Sequence, residues 1–542
     1  MPPGLDDIDW TALGAADLPG QVRRAGDADA DTAMEGFEEL IHALYDFGSL
    51  SPVTAAGLPF LVALTHDAHH WRAEMLWCVG WLADERRRDS RHWPAAAAAA
   101  AAQLPRLLPH ATDADPEVRT AAAYTLAQLG DACPRELLRQ RWAAETDPSV
   151  LASLVLALGR CEPDPEPLLR AALRHEAHQV RFAAGYALAS AGAELDAADL
   201  DRLVDGYHPD SVHELRQGWI DGLSTPLAEL APILSADAAR ALVAGLVGHP
   251  LAAVRSEALH AAGARVDRSR SAPAQLLPVV APALHDTDER VRRLAFELLR
   301  RAGAGAAPYA DLLAGAAGLR MPPGGFSLTW ESVGIDALAA LMRLGDPRWV
   351  PAASAALAQR EGHLLDDEPA LTPPVLAAVR AELARLTEQA PHRPEACHAI
   401  AGLVEILPGW GRAAADAAPE VRAAAPWTPE QAEQALAAMA GDPDGGGGPC
   451  GFHATGPDDR CDCHTATDVA ALLAAAEKPC CHPRALPRLV ALGAVAALPR
   501  LRDLRDRDDR VVTRRDHPIG HVWADERLRA ALHEAIEGLE SR

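Results

Sequence analysis

The chain has 542 residues and a formal net charge of −25, with 51 Lys and Arg set against 76 Asp and Glu. That length is several times an ordinary single core of roughly 100–150 residues, and so acidic a surface repels a phosphate backbone at long range. Lys478 is the only lysine and asparagine is absent; this is the residue usage of a very GC-rich genome, such as an actinobacterium's, so the arginines are no nucleic-acid signature.

Met1 to Asp9 carries two prolines and three acids, without the basic start or apolar core of a signal peptide, so a cytoplasmic protein is expected. Residues 1–110 read as an N-terminal group of helices. Leu40, Ile41, Leu44 and Phe47 make one apolar face. After Ser51-Pro52 a second helix turns Leu58, Leu61 and Leu64 inward. At 100° per residue, His70, Glu74, Trp77 and Trp81 share a helix face, with Trp71, Met75, Cys78, Val79 and Leu82 opposite. That face is either an aromatic recognition patch on an inner wall or, the favoured reading, one side of a helix packed between two neighbours. His66, His69 and His70 are too loosely spaced to favour a metal site. The alanine run Ala95–Ala102 forms helix but gains little from lipid, and no membrane span is expected.

From residue 111 to 315 one phrase recurs. Asp115-Pro116-Glu117-Val118-Arg119 runs through Ala121-Ala122 to Leu129-Gly130. Asp115 suits a helix N-cap and Pro116 the first helical position. Val118, Ala122, Leu126 and Leu129 form the apolar stripe, and Gly130 suits a left-handed C-cap. Leu104-Pro105-Arg106-Leu107-Leu108 reads as the partner helix of a hairpin. Variants follow at Asp147-Pro148-Ser149-Val150, at Val180-Arg181 to Gly192, at Asp210-Ser211-Val212, at Val254-Arg255 to Gly263, and at Val291-Arg292 to Gly303. The valines are separated by 32, 30, 32, 42 and 37 residues. Self-similarity at this period means stacked units, each burying its apolar face on the next.

These residues resemble the bacterial HEAT repeats, especially the short PBS-lyase-like kind, clearly from Leu104 to Gly303 and more patchily from Asp336 to Arg422. The resemblance implies an all-α α-solenoid, a HEAT-like superhelix of stacked helical hairpins with loop insertions. The recurring Arg119, Arg181, Arg255 and Arg292 are read as structural, bonding acids or carbonyls of adjacent repeats.

A Pro/Gly-rich break around Met321-Pro322-Pro323-Gly324-Gly325 marks a loop insertion over 316–335, and further helical repeats are expected over 336–440. The stretch 441–483 opens with four glycines. It then reads Cys450-x2-His453, Cys461-x-Cys463-His464 and Cys480-Cys481-His482, five of the nine cysteines within 32 residues. Thiolates and imidazoles suit tetrahedral zinc, and a metal folds a loop too short for its own core. The alternative is an insertion rich in reduced cysteines. Residues 484–542 return to helix. Arg500, Arg502, Arg505, Arg507 and Arg510 interleave there with aspartates, and pairs such as Arg505–Asp509 and Arg502–Asp506 explain them as a solvated face.

The function expected is a non-catalytic HEAT-repeat scaffold or adaptor that binds another protein, with a basic segment, along its concave surface. Its only cofactor candidate is structural zinc. Two alternatives sit on the same scaffold. A nucleic-acid reader similar to HEAT-like DNA glycosylases requires a positive inner wall with exposed tryptophans, against the net charge. A metal-dependent enzyme similar to deoxyhypusine hydroxylase requires His-Glu pairs, but His175-Glu176, His213-Glu214 and His533-Glu534 fall out of register with the repeats.

Overall fold

The computed structural model describes residues 4–46, 49–67, 70–88, 90–208, 219, 225–317, 333–358, 369–441, 468–477, 482–511 and 521–541. The chain is an all-α solenoid of stacked helical hairpins. The one sheet among the described residues is a two-stranded antiparallel ladder, Tyr45–Asp46 with Ser49–Leu50, absent from the sequence expectations. The chain divides into two compact units, Met1–Ala261 and Ala262–Arg542.

In the first unit, helices α1 (Arg72–Ala83), α2 (Pro116–Ala127), α3 (Pro148–Cys161) and α4 (His178–Ser190) pack each on the next. A second layer is supplied by Leu108–Thr112, Arg135–Ala144 and Glu166–Ala172, each in contact with the α-helix that follows it. Local chemistry starts these helices. The Asp115 carboxylate accepts from Glu117 N at 2.9 Å and Asp147 from Ser149 N at 2.9 Å, with Pro116 and Pro148 at the first helical position. Gly130 and Gly192 adopt positive φ, 57° and 78°, where each phrase closes.

The repeated arginine forms the same bond in each described copy that carries it. Its Nη1 donates to two carbonyls of the turn entering its own helix: Asp113 and Ala114 for Arg119, His175 and Glu176 for Arg181, His249 and Pro250 for Arg255, Asp286 and Thr287 for Arg292. To the expected carbonyl of the adjacent repeat, which Arg181 reaches through Nη2 at Asp205 O, 3.4 Å away, are thus added carbonyls of the same repeat. A first-turn side chain leans back toward the N-terminus, which aims it there. Arg119 and Arg181 also reach an acid of the next hairpin, Glu145 at 2.9 Å and Asp205 at 2.8 Å. The copy at Asp210-Ser211-Val212 lies outside the described residues.

The middle parts of α2 and α3 are covered on all sides. Every residue from Thr120 to Leu129 and from Val150 to Leu158 is buried. Trp219 contributes to that cover: its ring lies 5.0 Å from Tyr124 and its indole N–H donates to Ser153 Oγ at 3.0 Å.

Helix α5 (Ala252–Arg268) carries the division between the units. The phrase predicts its end at Gly263, but it continues to Arg268. Gly263 serves a close approach instead: a Cβ there would lie 2.8 Å from Arg301 Nη1, and Arg301 forms an ion pair with Asp267. In the second unit, α6 (Glu289–Arg301) packs on Val333–Leu344, and hairpins continue through Pro373–Gln389 and Ala396–Glu405 to Pro429–Ala440.

The C-terminal helices depart from nearest-neighbour stacking. With Val469–Ala476 and His482–Ala491, α7 (Leu498–Asp506) and α8 (His521–Glu540) build a separate core around Leu489, Leu501, Leu504, Leu528 and Ile536. That core is fastened to the last turn of α5 and the residues following it. Arg270 Nη1 caps the carbonyls of Leu504, Arg505 and Arg507, and its other nitrogens donate to Asp525 at 2.8 and 3.1 Å. Arg510 Nε donates to Val266 O at 2.9 Å and Nη1 to Asp525 at 3.3 Å. Arg510 is thus no part of a solvated face. Local pairs of the expected kind form at Arg500–Asp503 and Arg507–Asp503, but the two named ones are replaced: Arg505 pairs with Asp506, and Arg502 with Glu540.

Candidate functional site

The helix expected to carry the aromatic patch begins only at Arg72, because Trp71 takes a left-handed conformation with φ 60°. His70 therefore stands before α1 rather than on its face, and its Nε2 hydrogen-bonds Ala28 O at 2.9 Å. Glu74 occupies the first turn, half-buried. Trp77 is 8% exposed, its ring 4.9 Å from Tyr124. Trp81 meets Tyr45 edge-on at 4.2 Å, and the Arg87 guanidinium lies 3.3 Å from its ring centroid. Arg87 also donates from Nε to Trp81 O and from Nη1 to the Tyr45 hydroxyl. Trp77 and Trp81 face different neighbours, whereas His70 and Glu74 come together.

His70 and Glu74 line a depression of about 340 Å³ with Trp71, Arg72, Asp115 and Glu117. Its one cation is engaged elsewhere: Arg72 donates to Asp113 at 2.5 Å and to Thr65 O at 2.9 Å. Burial alone would push the Asp113 carboxyl up, but the Asp115 N–H and the Arg72 guanidinium outweigh it and hold it below the usual carboxylate range. Asp115 is occupied as the α2 cap. The Glu74 and Glu117 carboxylates have no hydrogen-bond or ion-pair partner among the described residues. The depression therefore offers two unneutralised carboxylates beside an imidazole.

At the other end of α1, at its C-cap, lies a node that sequence reasoning missed. Asp84 is 1% exposed and accepts from Arg86 at 2.6 and 2.9 Å and from the Tyr124 hydroxyl at 3.1 Å. Its only sequence signal was an acid just beyond the apolar run of α1. The node locks Tyr124 in place and leaves Asp84 no free lone pair aimed at solvent.

The metal candidates Cys450, His453, Cys461, Cys463, His464, Cys480 and Cys481 lie outside the described residues, as does the 316–335 insertion over 318–332. His482 opens the helix His482–Ala491. Among the described residues no three His, Cys, Asp or Glu side chains are grouped to hold a metal ion. His66 bonds Arg106 O, apart from His70, and His69 is outside the described set. Of the His-Glu pairs, His175 accepts from Ala177 N, and His533 pairs with Glu537 at 3.2 Å; His213-Glu214 is outside the described residues. Among the described residues no helix is long and apolar enough to cross a membrane.

The family model for the HEAT repeat matches residues 104–133, the hairpin that ends in α2. No curated protein matches the chain. Among solved structures, the chain is similar to an engineered protein at 16% identity, over 78% of this chain and 99% of that one, with a TM-score of 0.28. It is similar to importin beta at 12% identity, over 96% and 67%, with a TM-score of 0.36. It is also similar to Kap95p, in a structure with RanGDP, at 11% identity, over 96% and 67%, with a TM-score of 0.43.

Proposed function

Starting from a solenoid with a HEAT repeat at residues 104–133, we propose that the chain is a non-catalytic scaffold that binds a basic segment of another protein. Stacked hairpins suit this work, because they extend surface while each unit varies independently. The observation that carries the reading is the pair of unpartnered carboxylates, Glu74 and Glu117, at the depression between the starts of α1 and α2. A Lys or Arg entering there gains two counter-charges without displacing an existing ion pair. The net charge of −25 adds long-range attraction for such a partner. The contact lies on the turn edge of the stack, since the flat of α2 and α3 is already covered.

The double charge reversal Glu74→Lys/Glu117→Lys is expected to weaken capture of the partner from native lysate about tenfold or more, and most at low salt. Glu117 is exposed and Glu74 half-buried, and both sit in a first helical turn, so helix content should hold while melting falls only modestly. Undiminished capture by the folded variant would reject the site.

The finer assignments belong to the same reading: repeats of the bacterial PBS-lyase-like kind, a cytoplasmic home, segment boundaries near 110, 315, 335, 440 and 483, and a structural zinc ion held by residues within 441–483. Metal analysis of the purified chain is expected to find about one zinc per chain; a stoichiometry near zero rejects the metal.

A further inference from the structure

Cys133 and Cys161 stand at the same end of two consecutive repeats. Cys133 follows the short turn Gly130–Ala132 that ends α2, and Cys161 is the last residue of α3. Their sulfurs are 2.7 Å apart, with the Cys133 thiol donating, and Cys161 Sγ lies 3.6 Å from Ala127 O. Cys133 is 8% exposed, whereas Cys161 is only half-buried. The two other described cysteines, Cys78 and Cys397, have no thiol neighbour among the described residues. The two members of the pair differ chemically. The bond donated by Cys133 holds Cys161 below the usual thiol range, with Arg160 and Arg135 assisting against burial. The same bond, and then burial, raises Cys133.

We infer that Cys133 and Cys161 form a redox-responsive pair that closes to a disulfide and ties two consecutive repeats together. The oxidant is a low-molecular-weight disulfide such as oxidised glutathione. The Cys161 thiolate, the more accessible sulfur, attacks one sulfur of the oxidant and expels a small thiolate, which takes up a proton. Cys133 then loses its proton and attacks the Cys161 sulfur of the mixed disulfide, expelling the second small thiol. Two protein thiols are oxidised and one small disulfide is reduced to two thiols.

The tie matters because each hairpin of a stack is held only by its neighbours. A covalent link across one joint opposes its local opening, so the α2–α3 region becomes the stiffest part of the array when oxidised. This is independent of the acidic depression and of any partner.

The test uses the full chain, first reduced and then equilibrated with oxidised glutathione. Peptide mapping by mass spectrometry is expected to find the Cys133–Cys161 linkage with the loss of two hydrogens. Hydrogen exchange in residues 116–161 should slow about tenfold or more on oxidation and recover with reductant. Neither change should occur in Cys133→Ser or Cys161→Ser, or in the Ala variants should a Ser variant misfold. The inference is overturned by a stable mixed disulfide at Cys161 alone, by linkages confined to Cys450–Cys481, or by a Cys133–Cys161 linkage that leaves exchange unchanged.

Discussion

Asp525→Ala is expected to destabilise the C-terminal cluster by about 3–5 kcal/mol, the largest effect of any single substitution considered. Asp525 is fully buried and accepts from Arg270, Arg510 and the backbone N–H of Val511. The Arg270 and Arg510 side chains are themselves only 5% and 2% exposed. Removing the carboxylate leaves two buried guanidinium groups without their shared counter-charge, and water cannot reach them unless α8 lifts away. Chemical denaturation should show the loss, and limited proteolysis should cut between α7 and α8 in the folded variant. Asp525→Asn keeps an acceptor for Val511 N but not the charge, so its loss should be smaller. The exposed Arg502–Glu540 pair is the control: Arg502→Ala should change stability by no more than about 0.5 kcal/mol. A cost for Asp525→Ala below about 1 kcal/mol would mean that apolar packing alone fastens the cluster.

Gly80→Ala should cost about 1–3 kcal/mol, concentrated at the joint between α1 and α2. A Cβ at position 80 would lie 2.7 and 2.8 Å from Tyr124 ring atoms and 2.9 Å from the Cα of Thr125. The ring cannot swing aside, because Tyr124 is fully buried, hydrogen-bonded to Asp84 and packed between Trp77 and Trp219. The backbone of α2 would have to retreat, which opens the stack. Gly315 gives the contrast. It is helical with nothing within 4 Å of its would-be Cβ, so Gly315→Ala should be neutral or stabilising by about 0.5–1 kcal/mol. Denaturation midpoints and proteolysis of residues 72–127 measure both. Equal effects at the two glycines would contradict the close crossing of α1 and α2.

The local devices of this fold were legible because they are local. An Asp followed by Pro names a helix start, and an Arg four residues into the phrase can only reach back to its own turn or across to the next hairpin. Distance defeated the rest. Gly263 looked like a helix end by analogy with Gly130, but its small size accommodates Arg301, a neighbour that no local pattern reveals. The Arg/Asp alternation after residue 500 satisfied a helical pairing rule, yet the partners of Arg270 and Arg510 are set by tertiary docking across 255 and 15 residues.

The candidate site followed the same division. The helical wheel grouped His70, Glu74, Trp77 and Trp81, but it assumed a helix already running at His70. The left-handed Trp71 delays that start, so His70 and Glu74 gather with Glu117 from the next hairpin while the tryptophans turn to Tyr124 and Tyr45. Glu117 lay in the repeated phrase throughout, but only stacking places it opposite Glu74.

The central claim, that a partner's cations enter the depression at Glu74 and Glu117, is tested most directly by zero-length carbodiimide coupling in native lysate. The chain has one lysine, Lys478, so coupling within or between its own copies offers few competing amines. The account predicts peptides containing Glu74 or Glu117 joined to lysine-bearing peptides of another protein. Both carboxylates remaining uncoupled, while other acids of the chain capture that protein, would contradict it.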